Sequence, residues 1–166
     1  MKLEPLTAVL SDPEATHAWG QRLGQVLQAG DLVVLTGDLG AGKTTLTQGI
    51  AIGLDVRGPI TSPTFVIARE HPPLGNGPWL IHVDAYRLGN EIELDDLDLD
   101  TAVDEAVTIV EWGAGLVEHV AEHRLEVILA RPDVDGPDQT RTVQVRAVGA
   151  RWTTDVAHEQ LAALGA

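Results

Sequence analysis

Short apolar runs separated by turn-rich and charged stretches divide the chain into alternating strands and helices. Leu32-Val33-Val34-Leu35-Thr36 is an uninterrupted apolar run of strand length, the pattern of a strand buried on both faces. Phe65–Arg69 and Leu80–Val83 read as further strands, and Val107–Val110 and Leu125–Ala130 as buried ones. Thr142–Val148 alternates apolar with polar residues, as a half-buried strand nearer an edge does. Ser11-Asp12-Pro13-Glu14 has the S-x-x-E spacing of a capping box, with proline in the first turn. It predicts a helix from about Asp12 to Ala29, stopped by Gly30. A second helix is expected from about Lys43 to Ile52, ended by Gly53, and an amphipathic third from about Thr154 to Leu164. The segment from His71 to Pro78 is an exposed loop by its prolines and glycines, and the acidic stretch Glu91–Asp100 a surface helix or loop. Strands interleaved with helices predict a three-layer α/β fold, one domain over residues 1–166 with a C-terminal helical extension from about 151.

Composition narrows the setting. No apolar run approaches the roughly 18 residues a membrane-spanning helix needs, and the N-terminus lacks the pattern of a signal peptide. The absence of cysteine excludes disulfides, thiolate nucleophiles and cysteine metal sites. A cytoplasmic protein with no membrane association is expected. The formal net charge is -14. Lys2 and Lys43 are the only lysines and the arginines are scattered, which disfavours strong direct binding to nucleic acid. A basic protein partner fits that charge, and so does a plain solubility role for the acidic surface.

The chemistry is concentrated between Gly37 and Thr45. Gly37-Asp38-Leu39-Gly40-Ala41-Gly42-Lys43-Thr44 matches G-x-x-x-x-G-K-[ST] in full, after a predicted strand and opening a predicted helix. Glycines let backbone N–H groups turn inward against phosphate oxygens, and the helix N-terminus adds its dipole and free donors. Lys43 is placed to reach the β- and γ-phosphates, and the Thr44 hydroxyl to ligate magnesium. Hydrolysis also needs acidic groups facing this loop, and two predicted strands end in one, at Asp84 and at Glu111. The hydroxyl-rich turn Thr61-Ser62-Pro63-Thr64 is a candidate γ-phosphate sensor, Arg87 a candidate charge stabiliser, and Trp112 a candidate site residue through its place beside Glu111. Trp19, Trp79 and Trp152 read as packing residues. Asp96, Asp98 and Asp100 open like a calcium loop, but Thr101 stands where glycine is needed. His119 and His123, four residues apart, lack the metalloprotease glutamate arrangement. With two lysines in all, no Asn/Thr-Lys-x-Asp guanine motif exists, which favours ATP over GTP.

Four ordered blocks carry a family resemblance. The Gly37–Thr45 loop, Ser62-Pro63-Thr64-Phe65, His82-Val83-Asp84-Ala85-Tyr86-Arg87-Leu88 and Val110-Glu111-Trp112 resemble the bacterial TsaE (YjeE) proteins, and Arg141 is similar to a recurrent family arginine. The resemblance implies a small P-loop NTPase fold with a central mixed, mainly parallel sheet. It also implies an ATPase needed to make N6-threonylcarbamoyladenosine (t6A) in tRNA, acting on a complex of TsaD and TsaB and reaching tRNA only through them. By position, Lys43 would bind phosphates, Thr44 and Glu111 would hold Mg2+, Asp84 would serve hydrolysis, and Thr45 and Trp112 would support the site. Ala85 departs mildly from the family pattern, and the segment from about Arg151 has no family counterpart. The rival reading is a P-loop kinase of a small metabolite or nucleotide, which would need an Arg-rich lid that this chain does not cluster.

Overall fold

The computed structural model describes residues 5–37, 41–58, 68–84, 103–111, 123–131 and 138–165. Within them the chain forms a mixed α/β fold around one seven-stranded sheet. The strands are β1 (Leu6–Leu10), β2 (Leu32–Gly37), β3 (Ala68–His71), β4 (Trp79–Asp84), β5 (Ala106–Glu111), β6 (Arg124–Ala130) and β7 (Arg141–Val148). The helices are α1 (Pro13–Val26), α2 (Lys43–Leu54) and α3 (Asp155–Leu164). Sheet order is β1-β7-β6-β2-β5-β4-β3. The four middle strands β6, β2, β5 and β4 run parallel, and β3, β7 and β1 join antiparallel to their neighbours.

Burial follows this arrangement. Every residue of β5 is buried, as are five of the six in β2, because the central parallel strands are covered on both faces. In β6 and β7 buried and more exposed positions alternate, so one face there meets solvent. The solvent face carries Glu126 paired with Arg124 and Arg146. The opposite face is apolar: Val33, Leu35, Ile109, Val127, Val143 and their neighbours join the buried sides of α1, α2 and α3 in one core.

Several boundaries differ from the sequence reading for local reasons. The cap of α1 is Asp12, one residue past Ser11: its Oδ1 accepts from the Ala15 N–H at 2.7 Å, with Pro13 in the first turn, where no N–H is needed. No Ser11–Glu14 capping box forms. The helix ends at Val26, where Leu27 turns extended, three residues before Ala29. Helix α2 runs past Gly53 to Leu54 and is closed by Asp55 in the left-handed region, φ 59°. Gly53 is spent on packing, since a Cβ there would lie 2.2 Å from the Gln21 carbonyl oxygen of α1. β3 begins at Ala68 among the described residues; Phe65, Val66, Ile67 and the acidic stretch 91–100 lie outside them. β1 was not foreseen at all. It forms the sheet edge, and the alternating β7 lies next to it, near the edge as expected.

The C-terminal segment, for which the resemblance offered no family counterpart, forms the expected amphipathic helix and is bound into the core. Ala157, Leu161 and Leu164 of α3 are buried at helical spacing, Thr154 caps the helix through Ala157 N–H, and the Leu164 carbonyl accepts from Trp19 Nε1 at 3.0 Å. Ahead of it, Arg151 donates from Nε and Nη2 to the two carboxylate oxygens of buried Asp31 and lies 4.1 Å above the Trp152 ring. Asp31 in turn accepts from the Gln28 N–H, so the C-terminal segment steadies the turn that enters β2. Trp19 and Trp152 are packing residues, each 1% exposed. No helix among the described residues is long and apolar enough to cross a membrane.

Candidate functional site

The site grows from the C-terminal ends of the parallel strands. β2 delivers Gly37 at its last position, and the chain is next described at Ala41, buried beneath the start of α2. Asp38, Leu39 and Gly40 lie outside the described residues. Gly42 stands at the N-cap with φ 99°, a left-handed conformation that a side chain would strain. It has no side chain to offer as a cap, and no side chain among the described residues caps this end. The first intrahelical bond runs from Leu46 N–H to the Gly42 carbonyl. The N–H groups of the first turn are thus presented together at the positive end of a twelve-residue helix, an arrangement suited to phosphate.

Lys43 sits in that first turn and is 9% exposed; its ammonium donates to the Gly37 carbonyl, closing the loop on itself. An ammonium at the N-terminus of a helix, beside free backbone N–H groups, is chemistry suited to an anion. Thr44 and Thr45 are partly exposed beside it. Thr47 donates its hydroxyl to the Lys43 carbonyl at 2.8 Å and steadies the turn.

Arg141, at the start of β7 and two strands from β2, reaches this loop. It is 8% exposed and its Nε donates to the Ala41 carbonyl at 3.1 Å. Burial, and then the charge of Arg131, push its pKa below the ordinary arginine value, while Asp138 works the other way. A guanidinium stays protonated regardless. Arg131 lies two residues past Leu129, the register partner of Gly37, so Lys43, Arg131 and Arg141 concentrate positive charge beside the loop in an otherwise acidic chain. Arg141→Ala should free the Ala41 carbonyl and cost roughly 1.5–3 kcal/mol of stability. Nucleotide affinity should fall with it, by about tenfold; a melting curve and calorimetric titration read both, and an unchanged affinity would remove Arg141 from the site.

The acidic side is built by register. Leu35 of β2 pairs with Glu111 of β5, and Glu111 pairs with Asp84 of β4. Glu111 and the Asp84 backbone therefore stand side by side at strand ends next to the strand that feeds the loop. Glu111 is 3% exposed, and its Oε1 has no hydrogen-bond partner among the described residues. An unpaired buried carboxylate oxygen costs about 1–3 kcal/mol or more, which the fold tolerates where a partner lies within reach. The Glu111 carboxylate and the Thr44 hydroxyl are each hard oxygen donors, the chemistry that suits Mg2+.

His82 is the residue that sequence reasoning passed over. It was read as part of a strand and of a family block, with no role of its own. Its ring is fully buried, neither nitrogen has a hydrogen-bond partner among the described residues, and Nε2 lies 3.6 Å from Glu111 Oε1. The signal was present as a lone polar residue inside an apolar strand. Thr64, Tyr86, Arg87, Trp112 and His119 lie outside the described residues. His123 accepts from the Arg151 N–H through Nδ1, and no cluster of metal-ligating residues is found among the described residues.

Comparison with known proteins follows the same lines. Residues 10–142 match the profile of the family described as threonylcarbamoyl adenosine biosynthesis protein TsaE. Among relatives, the tRNA threonylcarbamoyladenosine biosynthesis protein TsaE of Streptomyces coelicolor is 56% identical over 136 residues, covering 81% of this chain and 92% of that protein. The Mycobacterium tuberculosis H37Rv protein of the same name is 54% identical over 75% of this chain and 79% of its own length. The Bacillus subtilis one is 38% identical over 85% of each. The crystal structure of Bacillus YdiB superposes with a TM-score of 0.73 at 30% identity, covering 98% of this chain and 97% of that one.

Proposed function

The chain belongs to the TsaE family, and from that premise we propose that it is a magnesium-dependent ATPase acting as an accessory subunit in tRNA threonylcarbamoyladenosine synthesis, on homologues of TsaD and TsaB. The family's name ties it to that biosynthesis; the ATPase chemistry is read from the site. The observation that carries it is buried Lys43 held against Gly37 at an uncapped helix N-terminus, beside strand ends bearing Glu111 and Asp84.

On this reading Lys43 releases the Gly37 carbonyl and binds the β- and γ-phosphates, while the N–H groups from Gly37 through Thr45 cradle them. Asp38, Leu39, Gly40, Ala41 and Gly42 contribute backbone, not side chains, to that cradle. Thr44 and Glu111 would hold the magnesium ion, which neutralises charge on the phosphate oxygens. Asp84 orients the attacking water and accepts its proton. Arg141 holds the loop from behind, and Thr64, Thr45 and Trp112 support the nucleotide. The acidic chain meets tRNA only through its partners, in the cytoplasm, with no membrane involved.

ATP hydrolysis by the purified chain, alone and with the TsaB–TsaD homologues, with and without tRNA, tests this. Turnover should be slow alone and rise with the complex. Absence of hydrolysis in every mixture, together with normal modification when the chain is omitted, would sink the proposal. Transfer of the γ-phosphate to an acceptor other than water would replace it with the kinase reading.

A further inference from the structure

We propose that His82 is a positioning residue for Glu111, donating from Nε2 to one carboxylate oxygen so that the other is turned toward magnesium. This rests on the ATPase reading above. Register partners point to the same side of a sheet, so Leu80 and His82 of β4 share a face with Val107, Ile109 and Glu111 of β5. His82 pairs with Ile109, which makes Glu111 its diagonal neighbour, within reach of a long side chain. The two groups meet at 3.6 Å, beyond hydrogen-bond length by roughly half an ångström. That gap is small enough for a side-chain adjustment to close.

A histidine buried only for packing would satisfy a ring nitrogen on a carbonyl or hydroxyl. Here neither nitrogen does so among the described residues, and the ring is 0% exposed. Glu111 Oε1 faces the same shortage. Two adjacent orphans, one a donor and one an acceptor, lie on the strand that ends in Asp84 and the strand that ends in Glu111. Carboxylates that ligate metals are themselves held by hydrogen bonds, and loss of such a partner weakens metal affinity by about 10–100-fold.

Gln and Asn separate the two ring nitrogens, because a Gln amide falls near Nε2 and an Asn amide near Nδ1. ATP affinity is titrated by calorimetry in EDTA and in magnesium, for wild type, His82→Asn and His82→Gln. Binding in EDTA should be the same for all three. The magnesium-dependent gain should fall at least about tenfold in His82→Asn and stay within about threefold of wild type in His82→Gln. Equal loss in both variants, a full gain in His82→Asn, or an equal fall in EDTA would overturn the proposal. Nitrogen NMR of the wild-type ring needs no variant: the His82 Nε2–H should become protected from exchange when magnesium and ADP are added, and an unaltered signal would overturn it. Wild type that gains nothing from magnesium would sink the ATPase reading itself, a result distinguishable from a failure confined to the variants.

Discussion

Asp84→Ala is expected to bind ATP as wild type does and to hydrolyse it some 10²–10⁴-fold more slowly, the usual range for a lost general base. Backbone register places Asp84 beside Glu111 at the end of β4, one strand further from the loop than Glu111 itself. On the proposed reading phosphate binding belongs to the loop, to Lys43 and to the helix N-terminus, none of which Asp84 supports through its strand. Lys43→Ala should instead abolish binding, because the buried charge opposite the phosphates is lost. The comparison is a single-turnover assay at saturating ATP with a parallel binding isotherm. Normal hydrolysis by Asp84→Ala would strike it from the catalytic set; lost binding would make it a structural residue. Glu111→Gln should fall between, keeping nucleotide in EDTA and losing the dependence on magnesium.

What could be read in the sequence was what local rules determine. The β2 run declares itself because burial on both faces demands successive apolar residues, and the start of α2 because a left-handed N-cap demands the glycine at 42. The middle of the sheet was legible for the same reason, and its mixed, mainly parallel character came from the family resemblance. β1 was not, since Leu10 alone of its five residues is buried and Val9 is 70% exposed; pairing with β7 makes it a strand. The Arg141 bond to Ala41 spans a hundred residues, and the His82–Glu111 approach depends on the β4–β5 register. Such contacts are set by tertiary structure and leave only faint marks in sequence, a recurrent arginine or a histidine inside an apolar strand. The end of α2 was misread because glycine has two meanings. Gly53 stops nothing here; it lets α1 come close.

That close approach supports the largest expected loss of stability. An ideal Cβ on Gly49 would lie 2.1 Å from the His17 carbonyl oxygen, 3.0 Å from the His17 carbonyl carbon and 3.1 Å from the Gln21 nitrogen. All three atoms are backbone, so no side chain can swing aside. Gly20, Gly24 and Gly53 meet the facing helix just as tightly, and the contact therefore runs along both helices. Gly49→Ala would gain about 1 kcal/mol from helix propensity and lose more by forcing α1 and α2 apart, for which overpacking commonly costs 1–3 kcal/mol and occasionally more. With backbone on every side the cost should reach or pass the upper end, about 3–4 kcal/mol, for a net loss of about 2–3 kcal/mol. At about 2–4 °C per kcal/mol for a chain of this size, the melting temperature should fall by roughly 4–12 °C. Gly75→Ala is the control: its Cβ would meet only the Asp55 carboxylate, at 3.5 Å, and should change stability by less than about 0.5 kcal/mol. Because α2 starts at Lys43 and Thr44, the displacement should also weaken nucleotide binding, whereas a helix that merely lost stability would bind normally once folded. A Gly49→Ala protein that melts with wild type would mean that the two helices do not pack backbone to backbone.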